Sequence, residues 1–406
     1  MTMSRPGGAT AFSLEGRVTG RPTPVAIVAG SEAKAVSTSS DELGRDVHGV
    51  LGIPIDAIDM DDVLARIYGA TAAATPLWIS TPNLDFLACS RSDAEFRESL
   101  LLSDLCVPDG MPIVWISRLL GIPIRRRIAG ADIFATLKQR VAPSVTAFLF
   151  GGADGIAERA SRRINQEKSG LTCVGTHYPG FGTIEEMSGS SVIETINLSR
   201  AHILAIGLPA RKGQPWLLRN RDRLTIPVRA SLGATLNFQA GTLARAPALM
   251  RSSGLEWMWR IKQEPYLWKR YWSNFRTLSF LLLARVIPLA TVLLWARCLR
   301  QSHDLTIQRS QAANSTVLYL SGAAVARHAA KAATWIGAGL SSPEPMTIDM
   351  RKVTTIDTRF IGLLLMARKS LGKRNQPLRL VGIPLNVGAV MRLNGFGYLL
   401  EASNPG

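Results

Sequence analysis

Residues 77–86, LWISTPNLDF, run from a short apolar stretch straight into a polar turn, and residues 107–112, VPDGMP, make a tight turn that opens a helix. Further short apolar stretches lie on the C-terminal side, at Ala147–Phe150, Thr172–Gly175, Ile203–Ile206 and Pro227–Ala230, and with Leu77–Ser80 they have the length and composition of strands. Around and between them, Met60–Thr71, Ser92–Ser103, Pro112–Leu120, Ala131–Val141, Ile156–Glu167 and Pro215–Arg223 carry the spacing of amphipathic helices. Strands alternating with helices predict an α/β domain built on a largely parallel sheet. In such a sheet ligands bind beyond the carboxyl ends of the strands. TPNLD (81–85), VPDGMP (107–112) and RIAGAD (127–132) all fall at such ends or just before helices.

Asp109 has Gly110 and Pro112 behind it, so its carboxylate sits on a rigid turn beside helix-terminal N–H groups, where anions and phosphates are held. Taken alone, an N-cap is the plainer role for Asp109, and more so for Asp132, which has less of a motif around it.

With 406 residues the chain exceeds one ordinary core, and two domains are expected. Its net charge of +17 calls for an anionic partner, and the excess is concentrated between Arg245 and Arg300, where ten basic residues meet only Glu256 and Glu264. Trp257, Trp259, Trp268, Trp272 and Trp295 share that stretch, giving the composition of an interfacial membrane segment. Nucleic acid is not the expected partner, since no recognition-helix, zinc-finger or stacking-sheet pattern accompanies the charge. The apolar run Leu278–Ala296 contains Arg285 and Pro288. It therefore predicts a helix lying on the membrane, or a re-entrant one, over a spanning helix; the alternative is a helix buried against the second domain. Residues 1–47 are expected to form a disordered arm rich in Gly, Ser, Thr and Ala, without a signal peptide. Cys89, Cys106, Cys173 and Cys298 have no metal or disulfide spacing and are read as reduced thiols. From 304 onward a second α/β unit is expected, with strands at Val317–Ser321, Met346–Asp349 and Leu378–Gly382 and helices at Phe360–Arg374 and Val387–Leu393.

TPNLDF (81–86), LSDLCVPDGMPIVW (102–115), RIAGADIF (127–134), FLFGG (148–152), NFQAGTLARAP (237–247) and GLEWMWRIKQEPYLWKRY (254–271) follow one another in an order that resembles the WecG/TagA/CpsF family of glycosyltransferases. The resemblance implies a Rossmann-like glycosyltransferase domain, 48–245, and a basic membrane-associating appendage, 246–303. It further implies inverting transfer of a sugar from a nucleotide-sugar donor, such as a UDP-sugar, to a polyprenyl-diphosphate-linked acceptor, without a bound metal or other cofactor. Matched position by position, Asp109 is the implied catalytic base, Thr81 and Asn83 contact substrate, and Arg127 lies near the diphosphate. Gln214 corresponds to a substrate-binding glutamine, although its spacing is two residues longer than in the family and the following acid is missing. Arg260 and Arg270 match appendage arginines that either close over the diphosphate or face anionic lipid. A third family arginine is replaced near Tyr266 and Leu267. The family pattern also implies self-association, a cytoplasmic location and a peripheral place on the inner face of the membrane.

VTTIDTRFIGLLL (353–365) resembles the strand–loop–helix of a STAS domain, which would occupy 304–406. Thr358 stands where STAS antagonists are phosphorylated, but Arg359 and Phe360 replace the next hydroxyl and the glycine. An interaction surface for a protein partner is thus expected, over a phosphoswitch. Taken together, the chain reads as an enzyme of exopolysaccharide or cell-surface polysaccharide biosynthesis; the alternative is a non-catalytic scaffold that works through its STAS domain.

Overall fold

The computed structural model describes residues 39–140, 143–167, 169–298, 304–312 and 315–401. Most of the expected arm, and the C-terminal end of the helix anticipated to Val141, lie outside them. Residues 39–47 depart from the expectation: α1 (Ser39–Gly44) leads into β1 (Val47–Val50), which pairs antiparallel with β2 (Ile53–Asp56). Composition hid this because what orders the segment is a set of buried charges, Arg45 paired with Asp56 beyond the hairpin turn and Glu42 paired with Lys369 of the C-terminal domain.

Beyond the hairpin, α2 (Met60–Ala73) starts at an Asp59–Asp62 capping box, which satisfies two helix-terminal donors reciprocally. After β3 (Leu77–Ser80) come two helices where one was expected, α3 (Leu84–Ser92) and α4 (Ala94–Leu102), because Asn83 and Asp93 each cap a new start. Short β4 (Leu105–Cys106) precedes α5 (Met111–Leu120) and α6 (Gly130–Gln139). The pattern then repeats through β5 (Val145–Gly151), α7 (Ile156–Gln166), β6 (Leu171–His177), α8 (Ser190–Leu198), β7 (Ile203–Gly207), α9 (Ala210–Asn220), β8 (Val228–Ser231) and α10 (Thr235–Ala240). Strands β3 to β8 form one parallel sheet in the order β4-β3-β8-β7-β5-β6. An apolar core containing α2, α6, α7 and α10 residues packs with the sheet, and a separate one around Phe150 and Trp216 includes α8 and α9.

The appendage comprises α11 (Ala248–Ser252), α12 (Glu256–Gln263), α13 (Trp268–Leu281) and α14 (Ile287–Cys298). A π-turn at Leu282–Val286 joins the last two. Pro288 cannot donate to the ladder, and a π-turn beside it accommodates the lost bond. Residues 265–295 thus make one helix long and apolar enough to cross a membrane by length and composition. Its two faces differ. Leu281, Val286, Leu289 and Leu293 are buried in a core shared with α5 and the C-terminal domain, while Trp272, Phe275, Leu283, Ile287, Leu294 and Trp295 are exposed.

The smaller α/β domain has the sheet order β12-β11-β10-β9, from β9 (Thr306–Ala312), β10 (Ser315–Ala324), β11 (Met346–Ile356) and β12 (Arg379–Val381). Only the β9–β10 pairing is antiparallel. Its helices are α15 (Ala329–Leu340), α16 (Thr358–Gly372), α17 (Leu385–Leu393) and α18 (Gly397–Glu401). Helix α16 packs directly on β1. A Cβ on Gly362 would lie 1.9 Å from the Val47 carbonyl oxygen, so only glycine permits this approach. Asn394 secures the hairpin turn by accepting from Leu51 N (2.8 Å) and donating to Gly49 O (2.8 Å).

Candidate active site beneath the appendage

The loops after β3 and β4 are stitched side by side. Val107 N donates to Ser80 O (2.9 Å), Asp109 N to Pro82 O (2.7 Å), and Ile128 N to Pro108 O (2.7 Å). These three backbone bonds bring TPN, PDG and RIA together at the carboxyl end of the sheet. Gly110 adopts φ +145°, a conformation side chains disfavour, and its missing Cβ would lie 3.6 Å from Asn83 Cβ. Asn83 caps α3, its Oδ1 accepting from Asp85 N (3.0 Å) and Phe86 N (3.3 Å). Thr81 is buried and donates weakly to Ser231 O (3.4 Å), tying the β3 loop to the end of β8.

Burial pushes the Asp109 carboxyl up to about 7; Arg127 opposes that rise, and the carboxylates of Glu256 and Asp132 reinforce it. Asp109 makes no N-cap, since α5 begins after Gly110 without a side-chain cap. Arg127 pairs with Glu256 of α12 (2.6 Å) and approaches Asp132 (3.9 Å). Asp132 is no N-cap either: it gathers Arg245 (2.5 Å) and Arg251 (3.7 Å). The guanidinium groups of Arg245 and Arg260 stand over the Phe238 ring at 5.2 and 5.4 Å, and Arg260 pairs with Glu264 (2.7 Å). The Nε groups of Arg245, Arg251 and Arg260 are buried without a hydrogen-bond partner among the described residues. An unpaired buried donor is costly, and three of them, on Arg245 and Arg251 at Asp132 and on Arg260 across the Phe238 ring from Arg245, form a cradle suited to an anionic ligand.

Arg270 reaches from α13 to Asp85, two residues beyond Asn83 (2.9 Å). The appendage therefore closes on the α/β domain through Arg127–Glu256, Asp132–Arg251 and Asp85–Arg270. Gln214 is placed differently: it is 0 % exposed, and its amide exchanges hydrogen bonds with Ser80 Oγ (2.9 and 3.1 Å). It reaches the site only through Ser80, the residue before Thr81. Among the described residues no group of three or more His, Cys, Asp or Glu side chains is placed to hold a metal ion.

Arg245, Arg251, Glu256 and Phe238 were not singled out as site residues from the sequence. The excess of arginine around ARAPALMR (244–251) was the available signal, but charge alone does not distinguish a phosphate cradle from a lipid-facing surface. Cys89, Cys106 and Cys173 are buried free thiols. Thr358 is 7 % exposed at the start of α16, with its hydroxyl 3.2 Å from His48 Nδ1, while Arg359 pairs with Asp46 (2.7 Å). The loop that matches the STAS phosphorylation loop is thus engaged by β1 and the residue before it.

Residues 48–290 match the model of the glycosyl transferase WecG/TagA/CpsF family, and residues 307–401 match that of the Mlab STAS domain. The chain is similar to the N-acetylglucosaminyldiphosphoundecaprenol N-acetyl-beta-D-mannosaminyltransferase of Staphylococcus aureus strain MW2. It is 24% identical over 224 residues, which cover 54% of this chain and 85% of that protein. The protein of the same name from strain NCTC 8325 aligns with the same identity and coverage.

Proposed function

This chain belongs to the WecG/TagA/CpsF family of glycosyl transferases, and from that premise we propose that it moves a sugar from a UDP-sugar to a sugar carried on polyprenyl diphosphate, inverting the anomeric centre. The product is a lipid-linked intermediate of exopolysaccharide or another cell-surface polysaccharide. The observation that carries this reading is the pairing of one carboxylate, poised near 7, with arginines whose buried Nε donors are unspent.

In this reading the Asp109 carboxylate takes the proton from the acceptor hydroxyl as that oxygen attacks the anomeric carbon. The bond to the nucleotide diphosphate breaks with its electron pair, and the proton remains on Asp109. Charge growing on the diphosphate is met by Arg127 and by the free donors of Arg245, Arg251 and Arg260, which are already in place before reaction. Thr81 and Asn83 line the β3 loop beside the base and orient sugar hydroxyls, with the Asn83 amide NH2 available because its oxygen serves as the cap. Gln214 acts as a positioning residue, holding Ser80 and so the Thr81 loop. Arg270 joins through its hold on Asp85.

The enzyme works at the cytoplasmic face of the membrane, where its acceptor resides. The long helix lies along the surface with its tryptophan-bearing face toward lipid and its leucine face on the protein. A spanning arrangement would strip Leu281, Val286, Leu289 and Leu293 from their core. The STAS domain serves first as an internal partner, clamping β1; a protein partner would meet its remaining surface.

The test is release of UDP from a panel of UDP-sugars in the presence of a polyprenyl-diphosphate-linked sugar, comparing wild type with Asp109→Asn. Acceptor-dependent release lost in the variant is the expected result. Equal release from both proteins would remove Asp109 from the mechanism, and absence of both release and donor binding in the wild type would favour the scaffold reading.

A further inference from the structure

A cleft of about 520 Å³, lined by neither Asp109 nor the arginines around Asp132, forms where three parts of the chain meet. Arg91 and Arg97 come from α3 and α4, Arg285 from the π-turn, and Arg392 from α17 of the STAS domain. Four arginines against the single carboxylate of Glu401 leave the cleft strongly positive, and among the described residues none of the four forms a salt bridge. Burial and then the neighbouring Arg285 both push the Arg91 guanidinium down, the mark of cations crowded without a counterion.

Several of these side chains are held in place. Arg97 donates to Ser90 O (2.9 Å) and lies 4.3 Å over the Tyr398 ring. Arg285 donates to the Arg392 carbonyl, at the C-terminal end of α17 where a cation is favoured. Arg91 stands 5.3 Å over the ring of Phe280, and Phe280 belongs to the exposed apolar face of the long helix, with Leu283 and Ile287 following. Fixed arginine donors thus sit beside a surface suited to acyl chains.

We propose that this cleft binds the phosphate headgroup of an anionic phospholipid, seating it between the catalytic domain, the long helix and the STAS domain. The phosphate accepts from the arginines while its acyl chains run along Phe280, Leu283 and Ile287. The site lies apart from the proposed nucleotide cradle and rests on the surface-lying placement of the helix. It would make the membrane's charge a clamp on the domain arrangement.

The experiment is co-sedimentation of the full chain with phosphatidylcholine vesicles, with and without phosphatidylglycerol, for wild type and the Arg91→Ser/Arg392→Ser variant. Arg159→Ser/Arg162→Ser, both on exposed positions of α7, serves as the charge-matched control. Wild type is expected to prefer phosphatidylglycerol vesicles. The cleft variant should lose about fivefold of that preference per arginine, while its binding to phosphatidylcholine and its melting temperature hold. An equal loss in the control would reduce the effect to general charge attraction and overturn the site. Wild type binding both vesicles equally overturns the site alone; wild type binding neither overturns the membrane placement as well. Inorganic phosphate is the remaining arm: if it displaces the protein from phosphatidylglycerol vesicles below screening concentrations, the cleft takes free phosphate and the lipid assignment falls.

Discussion

At Asp109 a buried carboxyl weakens the fold at neutral pH, which the proposed role as a base would account for. Its folded pKa is about 7 against a usual 3.8, so between those values the folded chain holds a proton that the unfolded chain has released. Stability contributed by this group is therefore present below pH 3.8 and lost as pH rises through 7. Asp109→Asn should raise the melting temperature by a few degrees at pH 8 and leave it unchanged at pH 4, as measured by calorimetry. The same variant should lower kcat by about 10²–10⁴-fold. For wild type, kcat/KM should climb with pH through a midpoint near 7, read from UDP release across a buffer series; a flat profile would mean that another group takes the proton. The type and place of Asp109 were legible from PDGMP. Its raised pKa was not, because burial is a property of the completed fold and Glu256, which reinforces it, approaches only through the folded appendage.

At the scale of elements, α16 and the long helix behave differently from the expectations their sequences raise. Helix α16 is apolar and its starting loop resembles a switch, yet its face is occupied by β1. Gly362→Ala would drive a methyl group against the Val47 carbonyl and should undock the STAS domain. Limited proteolysis should then cut between the domains under conditions where wild type resists, whereas wild-type resistance in the variant would show that the helix can shift to accommodate a methyl. For the long helix, Trp272 and Trp295 are 57 % and 71 % exposed. Replacing both with Ala should weaken vesicle binding by roughly a hundredfold or more, given about 1.5–3 kcal/mol for each large apolar side chain buried. Its stability should not change, since neither residue supports the core. Sequence left open whether this helix meets lipid or protein. The fold buries one face of the helix against protein and leaves the other exposed, a division read from which leucines find partners.

Over the whole molecule the two domains are joined by a buried ionic network rather than by apolar contact alone. Lys369 of α16 is 2 % exposed and pairs with Glu42 (2.7 Å) and Asp104 (2.9 Å), while donating to Ser103 O (2.9 Å). Arg45 bridges Glu42 (2.9 Å) to Asp56 (2.8 Å), and Asp56 accepts from Cys106 N of β4 (2.7 Å). Burial would raise the Glu42 carboxyl, but Lys369, Arg45 and Lys373 hold it down at about 2. Its contribution is present above the usual 4.5 and is lost as pH falls through 2. Domain separation on acidification should therefore fall within that window, followed by small-angle scattering. Lys369→Met, which takes the cation from Asp104 and one of three from Glu42, should cost up to about 3–5 kcal/mol in denaturant titration. Native-like stability in that variant would show that the carboxylates take up protons or water instead.

What the sequence determined by itself was everything carried by local pattern: the alternation of strands and helices, the turns that place Thr81, Asn83 and Asp109 at strand ends, the basic and tryptophan-rich appendage, and the STAS-like strand–loop–helix. Periodicity and turn chemistry act over a few residues and can be read there. The tertiary structure alone decided what depends on meetings between distant segments. Residues 39–47 fold because Arg45 finds Asp56, and Glu42 finds Lys369 more than three hundred residues away. Gln214 turns inward to Ser80, and Asp132 becomes the hub of three arginines. Charges and amides carry no directional signal in a linear chain, since their energies depend on burial and on partners that only the completed fold supplies.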